Sequence, residues 1–120
     1  MATFPSDSEI LRRLRAGEDS FVERKSFGDW KKDAVKTCVA FANSCPIEGE
    51  PRILCIGVRD DGTIEASTEN LDTIQKTFER ELGRAYPPIP YHTRIVSGHE
   101  GRFVAVIVPG SPQGRHFLIG

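Results

Sequence analysis

Two nearly continuous apolar runs of strand length constrain the fold of this chain more than any other feature. Ile53–Val58 and Phe103–Val108 lack the alternation of polar and apolar residues that marks a strand with one face in water. Strands of this composition are typically buried on both faces, in the centre of a sheet. The sequence therefore predicts a sheet that has these segments at its centre and helices packed on it.

Three other segments carry apolar residues at helical spacing, and we predict that they form helices. The first is Ser6–Ala16, for which Ser6 or Asp7 is the expected N-cap. The second is Trp30–Asn43, whose lysines lie outside its apolar stripe. The third is Leu71–Leu82, which is followed by a glycine.

Shorter segments complete the predicted order of elements. Phe21–Phe27 and Tyr91–Val96 are expected to be strands, and Thr63–Ala66 is expected to be a short strand after a tight turn. The resulting order, α-β-α-β-β-α-β-β, is that of an α/β (α+β) fold with a single mixed sheet. Another apolar stretch begins at His116–Ile119, so we expect residues 1–120 to be one domain truncated before its last strand.

Composition excludes several classes of protein. The apolar fraction of 38% and the charged fraction of 28% are ordinary for a globular domain, and no apolar run is long enough to span a bilayer. The net charge of -1 means that nucleic-acid binding would require a local basic patch. Cys38, Cys45 and Cys55 have no C-x-x-C spacing, and reduced thiols favour a cytoplasmic location.

Four acidic residues and one lysine are candidates for catalytic chemistry. Glu18, Glu23 and Lys25 lie on or just before the first strand, and Asp60 and Asp61 follow the central strand. Three converging carboxylates would hold Mg²⁺ or Mn²⁺, and the lysine would contact a phosphate. The alternative is a surface ion pair between Glu23 and Lys25, with Asp61 only part of a turn.

Basic residues near the start of the second helix are candidates for nucleic-acid contacts. They are Arg24, Lys25, Lys31, Lys32 and Lys36. Such a cluster neutralises phosphates, and Trp30 would either stack on a base or pack in the core. Arg12, Arg13 and Arg15 form a second basic group on the first helix, where the first and last of them face the same way.

Three motifs together resemble the signature of the Schlafen AlbA-type domain (Schlafen AlbA_2 family). They are Glu18–Phe27 (E-D-S-F-V-E-R-K-S-F), Ala40–Asn43 (A-F-A-N) and Gly57–Gly62 (G-V-R-D-D-G), and the resemblance covers roughly residues 8–120. It implies a regulatory module that binds nucleic acid, DNA or RNA, and in microbes such modules are often fused to ATPase-like or winged-helix regions.

Related domains in animal Schlafen proteins cleave tRNA and rRNA with three acidic residues and a divalent metal. The alternative function is therefore a Mg²⁺- or Mn²⁺-dependent endoribonuclease acting on structured RNA, and whether this chain is an enzyme stays open. Residue matching places Glu18 and Glu23 on the first two acids and Asp60 or Asp61 on the third. The active animal nucleases use two domains as a clamp, which implies that a single copy either binds without cutting or forms a homodimer. The segment Ser44–Pro51 departs from the family's short glycine-rich turn.

Overall fold

The structure, a computed structural model, contains three helices and six strands within the residues that it describes. These residues are 5–16, 22–44, 51–66, 70–86, 89–109 and 118–119. The elements are α1 (Asp7–Arg15), β1 (Val22–Lys25), α2 (Trp30–Ser44), β2 (Arg52–Ile56), α3 (Leu71–Leu82), β3 (Ala85–Tyr86), β4 (His92–Ser97), β5 (Arg102–Val108) and β6 (Leu118–Ile119). Among the described helices, none combines the length and the apolar character needed to cross a membrane.

Four of the strands form one mixed sheet in the order β1-β2-β5-β4. β1 and β2 run parallel, whereas β5 is antiparallel to both β2 and β4. β1, β2 and β4 therefore finish at the same end of the sheet, where β5 begins, and we call this the carboxyl end. β2 and β5 lie in the centre, as their apolar runs predict, and the mixed sheet with its packed helices confirms the predicted fold class.

Helices cover both faces of the sheet. α2 and α3 pack on one face, where Ala34, Cys38 and Ala42 recur every four residues along α2 and are buried. α1 packs on the opposite face through Ile10 and Leu14, which are also buried. Side chains of β2 and β5 alternate between the two clusters, which explains why both strands are apolar throughout.

Polar side chains at the helix ends account for where α1 and α3 begin. The Ser6 hydroxyl accepts a hydrogen bond from the Glu9 amide at 3.2 Å, so Ser6 rather than Asp7 is the N-cap of α1. The Asn70 side chain caps α3 in the same way, by accepting from two amides of the first turn. Gly83 follows the last turn of α3, as predicted.

Two parts of the predicted order are wrong. Thr63–Ala66 is not a strand, because the segment forms only a single bridge between Ile64 and Val58. The two backbone hydrogen bonds of this bridge run from the Glu65 amide to the Gly57 carbonyl at 2.8 Å and from the Arg59 amide to the Thr63 carbonyl at 2.9 Å. The Glu65 carboxylate accepts from the amide of Phe27 at 2.8 Å. The second error is an omission, since β3 and β6 pair as a separate two-stranded sheet.

Candidate nucleic-acid interface

A polar cleft of about 490 Å³ opens at the carboxyl end of the sheet, between the beginning of α2 and the turn after β2. Its charged lining residues are Arg24 and Lys25 from β1, Asp29 just before α2, Asp33 from the first turn of α2, and Arg59 and Asp60 from the turn. The parallel pairing of β1 with β2 places the two strand ends side by side. The polar cleft thus forms where strand ends of α/β sheets tend to place their sites.

Lys25 lies between two carboxylates at the mouth of the polar cleft. β1 alternates, so Val22 and Arg24 are buried while Glu23 and Lys25 share the other face, as predicted. The Lys25 ammonium is 3.8 Å from the Glu23 carboxylate and 3.8 Å from the Asp33 carboxylate. Partly exposed pairs at this distance contribute little to stability. The lysine is therefore held in position by two weak ion pairs.

Arg24 is buried rather than presented on the surface, since only 6% of it is exposed. Its guanidinium donates to the Asp60 carbonyl at 2.7 Å and to the Leu14 carbonyl at 2.8 Å. The third nitrogen, Nε, has no hydrogen-bond partner among the described residues. Arg24 therefore ties the end of α1 to the turn after β2, and a phosphate would have to displace these bonds to reach it fully.

The two aspartates after β2 have different surroundings. Asp60 is exposed and lines the polar cleft. The Asp61 carboxylate instead accepts hydrogen bonds from the Thr63 hydroxyl at 2.6 Å and the Thr63 amide at 2.9 Å. These bonds hold the pKa of Asp61 below its usual value. Asp61 thus stabilises the turn, which is one of the two roles expected from the sequence, and Asp60 is the aspartate that lines the polar cleft.

The described residues do not form a metal site. No group of three histidine, cysteine, aspartate or glutamate side chains in the described part of the chain is arranged to hold an ion. Glu18, the first acid that the resemblance implies, lies outside the described residues. The three-acid site therefore stays a prediction.

Two lysines of α2 lie on its outer surface, whereas its tryptophan does not. Lys31 and Lys36 are exposed, and Lys32 belongs to α2 but its side chain is not described. Trp30 is buried in the core, with its ring centre 6.4 Å from that of Phe78. Of the two roles considered for Trp30, packing in the core is the one that the structure shows.

The sequence matches the Schlafen, AlbA_2 family over residues 18–118. The chain belongs to the Schlafen AlbA_2 family. Membership associates the domain with nucleic acid, and it confirms the resemblance carried by the three motifs. No curated protein sequence matches the chain.

Two solved structures resemble this Schlafen AlbA_2 domain. One is the N-terminal domain of an ATP-dependent DNA helicase RecG-related protein from Nitrosomonas europaea, with a TM-score of 0.68 and 20% identity over 98% of this chain and 90% of that chain. The other is the DIP2311 protein from Corynebacterium diphtheriae, with a TM-score of 0.55 and 12% identity over 91% of this chain and 22% of that chain. At these identities the two structures show the fold alone.

In this Schlafen AlbA_2 domain, two of the motifs touch each other at the carboxyl end. Gly57 has a φ of 102°, and a Cβ placed there would lie 2.8 Å from two ring carbons of Phe27. The Gly57 and Val58 amides both donate to the Lys25 carbonyl, at 2.7 and 3.2 Å. The motif residues therefore fix the backbone that carries the side chains of the polar cleft.

Sequence reasoning missed Asp29, Asp33 and Arg59 as lining residues of the polar cleft. Arg59 occupies the variable position of the motif at residues 57–62, and the two aspartates lie at the start of α2. The parallel pairing of β1 with β2 was the signal needed, because it brings both strand ends and the following helix together. The sequences of β1 and β2 do not reveal that the two strands are neighbours.

Proposed function

We propose that this Schlafen AlbA_2 domain is a regulatory module that binds DNA or RNA through the polar cleft and the adjoining outer surface of α2. The observation that carries the proposal is the weak engagement of the cations there. Among the described residues, Lys25 has two ion pairs, both at 3.8 Å, and Arg59 is exposed, with a hydrogen bond of 3.5 Å to Thr63. A phosphate offers either group a shorter and stronger charge-assisted contact.

Electrostatics supports a local interface rather than binding by overall charge. The net charge of the chain is -1, so attraction has to come from cations gathered on one part of the surface. Lys31 and Lys36 add two exposed cations on the helix that begins at the polar cleft. The acids in the polar cleft reduce the attraction, which favours a few positioned phosphate contacts over broad adhesion to nucleic acid.

Salt-dependent binding tests this proposal. Anisotropy of labelled duplex DNA and of labelled tRNA is measured from 50 to 200 mM salt for the wild type, Lys25→Ala and Lys31→Ala. Each lost phosphate contact makes the slope of log affinity against log salt less negative by about 0.9 on duplex DNA. Lys76→Ala is the matched control, because Lys76 is an exposed lysine on α3 that pairs with Asp72. Variants that bind like Lys76→Ala, or a wild type without salt-dependent affinity, contradict the proposal.

One observation favours a second function, a metal-dependent endoribonuclease. Glu23 and Asp33 flank Lys25, and Asp60 lines the same polar cleft, so acids and a lysine share one polar site. The test is incubation of tRNA with Mg²⁺ or Mn²⁺, comparing Glu23→Ala with the exposed α3 control Glu79→Ala. The nuclease is favoured if the wild type and Glu79→Ala cleave the tRNA and Glu23→Ala does not. Binding alone is favoured if the tRNA stays intact in every sample.

A further inference from the structure

A second groove, of about 590 Å³, lies between α1 and the loop that joins β4 to β5, and we call it the α1 groove. Its lining residues include Leu11, Arg12 and Arg15 from α1, Ser97 from the end of β4, and Gly98 and His99 from the loop. β4 finishes at the carboxyl end of the sheet, so the loop lies at the same end as the polar cleft. The α1 groove and the polar cleft therefore open at one end of the domain.

The turn after β2 separates the α1 groove from the polar cleft. Asp60 of this turn lines the polar cleft, and a Cβ at Gly62 would lie 3.2 Å from the Leu14 carbonyl of α1. Just after the turn, Ile64 packs under the loop, where a Cβ at Gly98 would lie 2.6 Å from its side chain. The turn thus lines the polar cleft and also touches α1, the helix that forms one side of the α1 groove.

The charge of the α1 groove is more uniformly positive than that of the polar cleft. No carboxylate lines the α1 groove within the described part of the chain, whereas three line the polar cleft. Arg12 pairs with Glu9, but Arg15 is exposed and forms no ion pair with a described residue. Arginines in the last turn also stabilise the end of a helix, so the charge alone does not define a site. The independent observation is that exposed Ser97 and His99 add hydrogen-bond donors across the groove from these arginines.

We propose that the α1 groove binds the phosphodiester backbone of the same nucleic acid that occupies the polar cleft, so that the strand crosses the turn Arg59–Thr63. This inference rests on the proposed function and extends its contact surface to the opposite face of the sheet. Arg12, Arg15 and the loop donors contact phosphate oxygens, and the apolar surface of Leu11 packs against the sugar. Helix α1 precedes residue 18, where the family match begins, so the match does not include the arginines of this groove.

Variants of Arg15 test the inference by the same anisotropy titration. Arg15→Ala is expected to lower affinity and to make the salt slope on duplex DNA less negative by about 0.9, whereas Arg15→Lys retains most of the slope. The double variant Lys25→Ala/Arg15→Ala is expected to lose both contributions, about 1.8 in slope. Arg80→Ala is the matched control, because Arg80 is an exposed arginine in the last turn of α3.

The outcomes separate this inference from the function on which it rests. If Arg15→Ala binds like Arg80→Ala while Lys25→Ala is impaired, the α1 groove is not used and the polar cleft stands. If Arg15→Ala is impaired and Lys25→Ala binds like the wild type, the proposed interface and the crossing strand both fail. Nuclear magnetic resonance gives a second measurement, since an added oligonucleotide is expected to shift the Gly98 amide in the wild type and less in Arg15→Ala.

Discussion

Substitution of Gly57 by alanine is expected to destabilise the domain strongly, because two costs coincide at that position. The φ of 102° lies in the left-handed region, which costs a residue with a Cβ about 1–2 kcal/mol. The new methyl would also lie 2.8 Å from two carbons of the Phe27 ring, and such overpacking costs about 1–3 kcal/mol. The expected total is about 2–5 kcal/mol, a large share of the roughly 5–15 kcal/mol typical of a domain.

Urea unfolding followed by circular dichroism measures this cost. The two contributions are separated by Phe27→Leu and by the double variant Phe27→Leu/Gly57→Ala, since leucine lacks the ring atoms that the new methyl meets. The double variant is expected to be more stable than the sum of the single effects by about 1–3 kcal/mol, which is the overpacking cost. The backbone cost stays in both variants that carry Gly57→Ala.

Gly28→Ala is the matched control for this experiment. A Cβ at Gly28 would meet nothing closer than the Ser26 hydroxyl oxygen at 4.0 Å, and Gly28 has no positive φ. We expect its effect to stay within about 0.5 kcal/mol. The reasoning is wrong if Gly57→Ala is as mild as Gly28→Ala, or if the two changes at Gly57 and Phe27 are additive.

Two further predictions concern titratable groups. Hydrogen bonds from Thr63 lower the pKa of Asp61 from its ordinary 3.8. The stability that Asp61 adds relative to Asp61→Asn is therefore present above pH 3.8 and is lost as the pH falls through the lower pKa of the folded state. Urea unfolding of both proteins across this pH range measures the difference, and a difference that stays constant with pH contradicts the prediction. Burial raises the pKa of the Cys38 and Cys55 thiols to about 12, so we expect both to be alkylated at pH 8 only after unfolding. Mass spectrometry of the labelled peptides checks this expectation, and labelling of either cysteine in the native protein refutes it.

Elements with a long apolar pattern could be predicted from the sequence, and the short ones could not. β2 and β5 are apolar on both faces, and α3 repeats its buried residues over three turns, so each carries its own signal. β3 and β6 have two residues each, too few to show any period. Thr63–Ala66 resembles a strand in composition, but its pairing stops at the single bridge between Ile64 and Val58, and the Glu65 carboxylate bonds to the Phe27 amide.

The candidate site was predictable in its location and less so in the role of each residue. Alternation along β1 correctly placed Glu23 and Lys25 on one face. Arginine is rarely buried, so nothing in the sequence showed that Arg24 would bond to two carbonyls in the interior. The choice between Asp60 and Asp61 required the geometry of the turn, in which the Thr63 amide and hydroxyl donate hydrogen bonds to the Asp61 carboxylate.

The family motifs and the proposed contacts have separable effects, because they act on different properties of the carboxyl end. Gly57, Phe27 and Arg24 hold the backbone there through packing and buried hydrogen bonds. Arg15 is exposed, and Lys25 is half-buried with two ion pairs at 3.8 Å, so removing either side chain should cost little stability. Changes to the first group should therefore lower stability before they alter binding, and changes to the second should lower affinity in a fully folded protein. A match to these motifs consequently indicates how this end of the sheet is built, whereas the proposed binding of nucleic acid depends on cations that the motifs only partly include.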